Sequence, residues 1–379
     1  MKINNSTVTF LTVFLMLVAI VAPAQETFYG ITSIEKIPTT PTKDLKRQGS
    51  CWSNAGAALL EAEILRISKK EADLSEMGFI HNSYLQKADF YLKSKGKIRI
   101  KEEGIASDVI KSLGEFGMVP EVGYMKSEKD PFAADAGQMD AILEGTLRMV
   151  VDKENGNFSE RWKNIFDGAL LGYIGQPMIN FKYNDLDYTP KSFAEKSGLK
   201  ASDYILVSSD NTKEMNKPFV IPMKGNWSDE KAFNVAPDEL VKLMKSSVEK
   251  GFPVIWCGDI VTKMVFVDEN IALVPAAKMP GVKANETDIL VKEPVAEKVF
   301  SPTERQEKYN AALKTDLGYM LVFGLNKDKK NNEYLLAKKV CASGNNELNL
   351  SEAYIKLNTV YLLLNKNSLP ADVKTKLGL

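Results

Sequence analysis

The residues that could do chemistry begin with a cysteine at the point where a helix is expected to start. The chain reads QGSCWS over 48–53, and an Ala- and Leu-rich stretch with few charges continues to Ile67. Gly49 and Ser50 form a turn signal before this helical stretch. A thiol at a helix N-terminus lies near exposed backbone N–H groups, which favour the thiolate and lower its pKa. Cys51 is therefore a candidate nucleophile, and a buried structural cysteine is the alternative interpretation.

Imidazole and thiol groups are scarce in this chain. Its 379 residues include one histidine, His81, and three cysteines, Cys51, Cys257 and Cys341. Three cysteines allow at most one disulfide and leave an odd thiol, so they form no disulfide framework. His81 falls on a predicted helix in the run GFIHNSYL, which is typical of a partly buried structural histidine. A non-standard pair of Cys51 and His81 is the alternative.

Composition and charge exclude several function classes. The apolar share is 44% and the charged share 26%, both typical of soluble globular proteins. Lys and Arg together number 49, as do Asp and Glu, without a long run of one sign, which disfavours nucleic-acid binding. The few His and Cys residues lack the spacing of a zinc site, and no phosphate-binding loop or Gly-x-Ser-x-Gly elbow occurs. We therefore expect no metal and no cofactor.

The N-terminus has the pattern of a secretory signal peptide. Lys2 precedes an uncharged apolar run from Val8 to Ala22, and small residues follow up to Ala24. The run is about 15 residues long, shorter than the roughly 20 that a spanning helix needs. We predict a signal peptide over 1–24 and export to the periplasm or the medium, with no membrane anchor after cleavage. A retained anchor is the alternative.

Periodicity predicts a helical first part and a strand-rich last part. Helices are predicted over 51–67, 74–92, 105–116, 137–152 and 236–250, a buried strand over 253–261, and a hairpin of 319–325 with 333–340. The polar stretch of about 125–235 resembles an insertion. These elements indicate the α+β class, with two lobes and a cleft between them.

Several segments resemble the papain superfamily of cysteine peptidases, and within it the aminopeptidase C and bleomycin hydrolase family. The segments are GSCWS at 49–53, LSE at 74–76, GMVPEVGY at 117–124, NWSDEKAFNVAPDEL at 226–240, KGFPVIWCGDI at 250–260, DLGYMLVFGL at 316–325, EYLLAKKV at 333–340 and SLPADVKTKLGL at 368–379. The resemblance covers nearly all of 33–379. It implies a papain-like two-lobed domain over 25–379 with a family-type insertion at about 125–235.

The resemblance places the nucleophile on Cys51 and the other catalytic positions on residues of different type. The family's imidazole, in a pattern resembling His-Gly/Ala-Met-x-x-x-Gly, aligns with Gly318. Its orienting asparagine, in the pattern Lys-Asn-Ser-Trp-Gly, aligns with Lys339. Its oxyanion glutamine aligns with Leu45, although Gln48 lies nearer to Cys51. We therefore predict that this catalytic set is lost. The alternative is that Lys339 replaces the histidine as the base.

The resemblance also implies a substrate cleft lined by Trp52 and by a glycine-rich segment. Here that segment reads Glu102-Glu103-Gly104 and retains one glycine, Gly104. We predict an exported pseudoenzyme, a non-catalytic protein whose cleft binds a peptide or a protein. Two alternatives stay open, a cysteine-type aminopeptidase with residual activity through Cys51 and a secreted structural protein with a closed cleft. The oligomeric state is not predicted.

Overall fold

A computed structural model describes residues 29–43, 49–127, 136–152, 161–266, 270–276, 293–341 and 346–379. The predicted signal peptide, over 1–24, lies outside these residues. So do Leu45 and Gln48.

The helices of the described residues are α1 (Cys51–Ser68), α2 (Glu76–Lys93), α3 (Ser107–Glu115), α4 (Ala136–Asp152), α5 (Arg161–Ile174), α6 (Pro190–Ser197), α7 (Pro237–Glu249), α8 (Pro302–Ala312), α9 (Glu352–Asn358) and α10 (Ala371–Leu377). The five helices predicted from periodicity are confirmed, with ends that differ by a few residues at most. None of the helices in the described part of the chain is long and apolar enough to cross a membrane.

The strands are β1 (Thr32–Lys36), β2 (Tyr124–Met125), β3 (Gln176–Pro177), β4 (Phe181–Tyr183), β5 (Leu186–Tyr188), β6 (Tyr204–Ser208), β7 (Pro218–Val220), β8 (Lys231–Asn234), β9 (Val254–Gly258), β10 (Val265–Phe266), β11 (Ile271–Ala272), β12 (Gly318–Lys327), β13 (Glu333–Lys339), β14 (Glu347–Ser351) and β15 (Thr359–Asn365). The predicted strand and hairpin are confirmed. Helices together with a mostly antiparallel sheet give the predicted α+β class.

The main sheet runs in the order β10-β11-β14-β13-β12-β9-β15-β6-β8-β7, and β1 adds to β12. Its central strands are buried on both faces, and alternate residues serve two different cores. Tyr319 and Leu321 of β12 pack with α1, whereas Met320 and Val322 pack with α7. The sheet therefore carries the helical first lobe on one face and α7 and α9 on the other.

Helix α1 is the central element of the first lobe because it is buried on almost every side. Twelve of its residues are buried, including Trp52 and Leu59. Gly56 allows α3 to approach closely, since a Cβ atom at this position would lie 2.4 Å from the Val109 side chain. The helix ends where Lys69 takes the left-handed conformation and its N–H donates to the Leu65 carbonyl.

The segment predicted as an insertion, about 125–235, is structurally mixed. Helices α4 and α5 pack on each other and on α2, and β4 and β5 form a small separate hairpin. From Tyr204 onward the chain joins the main sheet, because β6 pairs with β15 and β8 pairs with β6. The last part of this segment is therefore integral to the second lobe.

Candidate functional site

Cys51 is the first residue of α1, as the sequence predicted. The helix start is fixed because the Ser50 carbonyl accepts from the Ser53 N–H at 2.9 Å, while the Ser53 hydroxyl donates to the Glu76 carbonyl at 2.7 Å. The Asn54 side chain donates to the Val340 carbonyl at 3.4 Å, which ties α1 to the end of β13. The N-terminus of α1 therefore abuts the second lobe.

The sulfur of Cys51 is bonded to Cys341, whose Cα atom is 5.7 Å from that of Cys51 and 290 positions away in sequence. The sequence left the pairing of the three cysteines open and predicted a thiol at Cys51. That expectation is corrected here, because the end of β13 brings Cys341 to the start of α1. Cys257 keeps a free thiol, buried in the sheet, and burial raises its pKa.

A cavity of about 710 Å³, which we call the cleft, opens beside the disulfide. Cys51, Trp52 and Gly104 lie on its wall in the first lobe, so the structure brings these three predicted residues together. Leu317 and Tyr319 line it from the start of β12. The cleft therefore lies between the two lobes.

The position aligned with the imidazole holds no side chain, and the Ile260 side chain would have to move to admit one. Gly318 begins β12, opposite Gly258 of β9 and next to Tyr319 in the cleft wall. A Cβ atom on Gly318 would lie 2.1 Å from Cδ1 and 2.5 Å from Cγ1 of Ile260. The Ile260 side chain therefore occupies the volume into which a histidine would project, a feature that no sequence motif signals.

Lys339, aligned with the orienting asparagine, lies opposite Met320 in the β12–β13 ladder. Directly opposed residues project from the same face of a sheet, and Met320 packs in the core on the α7 side. This register puts Lys339 on the face away from Tyr319, which argues against its replacing the base. Its neighbour Lys338 is buried, donates to the Thr39 hydroxyl at 2.9 Å and to the Thr40 carbonyl, and burial lowers its pKa to about 8.

The segment 101–104 of the cleft wall is held by donors from inside the first lobe. The fully buried ammonium of Lys87 donates to the Lys101 carbonyl at 2.6 Å and to the Glu103 carbonyl at 2.7 Å. The indole of Trp52 donates to the Glu102 carbonyl at 3.1 Å. Burial lowers the pKa of Lys87 to about 8, and nearby carboxylates, Asp108 first, oppose that effect. Three consecutive carbonyls therefore already have protein partners.

Gly104 lies in a narrow space that requires a residue without a side chain. A Cβ atom on it would lie 2.8 Å from the Trp52 ring and 2.8 Å from Oδ2 of Asp108. Gly225, at a φ of +88°, packs from the other side, where its own Cβ atom would lie 2.8 Å from the Gly104 carbonyl oxygen. Gly104 is therefore packed tightly between Trp52, Asp108 and Gly225 in the wall of the cleft.

Comparison with solved structures identifies the architecture. PepW from Lactobacillus rhamnosis HN001 matches with a TM-score of 0.64 and 15% identity, over 92% of this chain and 84% of that one. The chain has a papain-like fold. Xylellain, a cysteine protease from Xylella fastidiosa, matches with a TM-score of 0.37 and 13% identity, over 90% of this chain and 89% of its own. Digestive procathepsin L 3 of Tenebrio molitor larval midgut matches with a TM-score of 0.35 and 12% identity, over 89% and 70%.

Comparisons of the sequence with other collections of proteins gave no match. No protein-family model and no curated protein matches this chain. The papain-like fold therefore rests on the structure.

His81 lies outside the lining of the cleft. It lies on α2 and lines a second cavity that shares no lining residue with the cleft. Burial lowers the pKa of this imidazole to about 4, and the neighbouring Asn82 opposes the effect only in part. The ring is therefore neutral near pH 7 and stands on a different cavity from the Cys51 sulfur. Within the described ranges, no group of three His, Cys, Asp or Glu side chains is arranged to hold a metal ion.

Proposed function

We propose that this chain is an exported, non-catalytic papain-like protein, similar to aminopeptidase C, whose cleft binds a peptide or an exposed segment of a protein. One observation carries the proposal. The sulfur at the nucleophile position is bonded to Cys341 and has no thiolate form. A cysteine peptidase attacks with a thiolate, so this sulfur cannot start the reaction.

Reduction of the disulfide would still leave the site without an imidazole. The residue aligned with the histidine is Gly318, and Ile260 fills the space beside it. The single histidine of the chain, His81, lines another cavity. General acid–base catalysis contributes about 10²–10⁴-fold to such reactions, and the activation of the thiolate is lost with it. We therefore expect no hydrolysis in either redox state.

The cleft itself has the size and chemistry of a binding site. Its volume of about 710 Å³ lies within the range of ligand-binding pockets. Trp52 and Tyr319 are buried in its wall, and the charged lining residues are Lys101, Glu102, Glu103, Asp140, Lys224 and Asp316. Acidic side chains outnumber basic ones in this set, which favours a ligand with a free amine or basic side chains.

Hydrolysis is tested with the purified mature protein and fluorogenic aminoacyl and short-peptide amides, with and without a thiol reductant. The matched variant is Cys51→Ala. We expect no turnover above that of the variant under either condition. Turnover that appears on reduction and disappears in Cys51→Ala would replace this proposal with the peptidase alternative.

Peptide binding is tested by screening a peptide library and comparing two charge-reversal variants. Asp316 is almost fully exposed at the cleft, so Asp316→Lys leaves the core intact. Glu307→Lys on α8 is the matched control, since Glu307 is exposed and does not line the cleft. We expect only Asp316→Lys to weaken the binding of basic peptides. If no peptide binds, or both variants bind equally, the cleft is not the binding site.

Export rests on the apolar run that precedes Gln25. We expect the exported protein to begin at Gln25, as N-terminal sequencing of the extracellular or periplasmic fraction would report. A full-length chain retained in the membrane fraction would favour the anchor alternative.

A further inference from the structure

A third cavity adjoins the cleft, and we call it the side pocket. It has a volume of about 330 Å³ and shares Lys101, Glu103 and Lys224 with the lining of the cleft. Its basic lining residues are these two lysines together with Lys87 and Arg99, and Glu103 is the single acidic residue among the described residues of its wall. The charged lining of the cleft is mainly acidic. The two adjoining cavities therefore differ in the sign of their charge.

The basic side chains of the side pocket belong to a segment whose exposure alternates from residue to residue. The chain reads KIRIK over 97–101. Lys97, Arg99 and Lys101 are exposed, whereas Ile100 is buried. Alternate residues of an extended chain project to opposite sides. This segment therefore anchors itself through its isoleucines and presents its positive charges on the outward side.

The carboxylates near these side chains already have cationic partners. Glu144 accepts from Nε of Arg99 at 2.9 Å and also pairs with a second arginine, so one carboxylate serves two guanidinium groups. Glu103 pairs with Lys224 at 2.9 Å. In the described part of the chain, no carboxylate pairs with Lys101. The side pocket therefore keeps an excess of positive charge.

A buried positive charge adds to this excess. Lys87 is 1% exposed, and its ammonium donates to two backbone carbonyls rather than to a carboxylate. It forms no ion pair within the described ranges, although Asp108 and other carboxylates act on it from farther away. A buried charge without a directly paired counter-charge is costly. An anion in the side pocket would lower that cost.

We propose that the side pocket binds the C-terminal carboxylate of a short peptide whose remaining residues lie in the cleft. This rests on the proposed binding of peptides by the cleft. Arg99 pairs with Glu144 through Nε, so its two Nη groups can donate to a ligand, and the ammonium of Lys101 can donate beside them. The acidic lining of the cleft suits the amino end of the same peptide. The two cavities therefore match the opposite charges of the two peptide ends.

The walls of the side pocket are held in place by hydrogen bonds within the protein. The Ile100 N–H donates to Glu144 at 3.1 Å. The Asn226 side chain donates to two backbone carbonyls, both at 3.0 Å. The indole of Trp227 donates to Oδ2 of Asp108 at 2.9 Å. A pocket that is formed before the ligand arrives lowers the entropic cost of binding.

The proposal is tested by isothermal titration calorimetry of the oxidised mature protein with alanine peptides that begin with lysine. Peptides of two to six residues are each prepared as the free acid and as the C-terminal amide. We expect the acid to bind about tenfold more tightly than the amide at the optimal length, and added salt to reduce this ratio. Equal affinities of acid and amide would overturn this proposal and leave peptide binding by the cleft intact. Binding of neither form at any length would overturn both.

Two charge-reversal variants assign the carboxylate to the side pocket. Lys101→Glu changes its wall, and Lys97→Glu is the matched control, since Lys97 is exposed on the same segment and lines neither cavity. The readout is the ratio of acid to amide affinity, because Lys101 also lines the cleft and its charge acts on both forms. We expect the ratio to fall to about one in Lys101→Glu and to stay about tenfold in Lys97→Glu. An unchanged ratio in Lys101→Glu, or an equal fall in both variants, would overturn the proposal.

Discussion

Cδ1 of Ile260 lies 2.1 Å from the point where a Cβ atom on Gly318 would stand. The two residues belong to neighbouring segments, one just after β9 and the other at the start of β12. Their complementary sizes mean that the glycine and the isoleucine depend on each other. Restoring a histidine at this position is therefore a packing problem before it is a chemical one.

We expect Gly318→His to lower the free energy of unfolding by about 1–3 kcal/mol, because the new side chain collides with Ile260. Adding Ile260→Ala should recover part of this loss, so the two substitutions are coupled rather than additive. Urea unfolding of wild type, both single variants and the double variant measures the coupling. A fully additive cycle would mean that the two side chains do not compete for one volume.

The disulfide between Cys51 and Cys341 closes a loop of 290 residues, so its loss should be costly. We expect Cys341→Ala to lower the free energy of unfolding by about 3–5 kcal/mol, and Cys51→Ala to have a similar effect. A reductant should destabilise wild type and leave both variants unchanged. Thiol titration in denaturant should find one thiol per oxidised chain and three after reduction. Three thiols without reductant would contradict the pairing.

Burial of His81 should make stability depend on pH. Its pKa is about 4 in the folded chain, against an ordinary value of 6.5, so between these values the unfolded chain binds a proton that the folded chain does not. The free energy of unfolding should therefore rise by about 3 kcal/mol as the pH increases from 4 to 6.5. Above pH 6.5 the full contribution of His81 to the free energy of unfolding should be present.

Glu76 has the opposite effect on the pH dependence of stability. Burial raises its pKa to about 7, so the folded chain keeps a proton on this carboxyl group that the unfolded chain has already lost. The contribution of His81 is isolated by comparing urea unfolding of wild type and His81→Leu at several pH values. The difference between the two should change across the window of pH 4 to 6.5. A difference that is constant with pH would show that His81 titrates alike in both states.

Lys87 should stabilise the cleft wall because it donates to the carbonyls of Lys101 and Glu103. We expect Lys87→Met to lower the free energy of unfolding by about 2–4 kcal/mol, since two buried acceptors lose their partner. Amide hydrogen exchange over 101–104 should accelerate as well. Lys93→Met, an exposed lysine on the same helix, is the control and should stay within about 0.5 kcal/mol of wild type. Equal effects in Lys87→Met and Lys93→Met would contradict the role of Lys87 in stabilising the cleft wall.

The elements that could be predicted from sequence are those specified by local pattern. Short stretches of sequence are enough to show the apolar composition of α1 and the apolar, β-branched character of the β12–β13 hairpin. Both elements have the predicted secondary structure. The roles of Lys87 and Ile260 were not predictable, because a lysine in a helix is ordinarily solvated and an isoleucine after a strand is ordinarily core. Only their distant neighbours in the fold give them these positions.

In the candidate site, the pairing of Cys51 with Cys341 also depended on the tertiary fold and not on local sequence. Three cysteines permitted several pairings, and the choice depended on where the end of β13 meets the start of α1. The face on which Lys339 lies was likewise unknown until the register with Met320 was fixed. Sequence resemblance predicted Cys51, Trp52 and Gly104 for the site, and the structure places these three on the wall of the cleft. Side-chain state and orientation required the three-dimensional arrangement.

The disulfide has a mechanical consequence for a chain stretched from its two ends. Tension passes directly from Cys51 to Cys341 through the sulfur atoms, so the chain between these cysteines, which are 290 positions apart, carries no load. Roughly 1,000 Å of contour length is thereby withheld from extension. Only β1 and the preceding chain at one end, and β14, α9, β15 and α10 at the other, can be pulled out while the bond is intact. Because β15 lies between β9 and β6 in the main sheet, pulling out the C-terminal end dismantles the second lobe, whereas α1, α2 and α3 stay inside the closed loop.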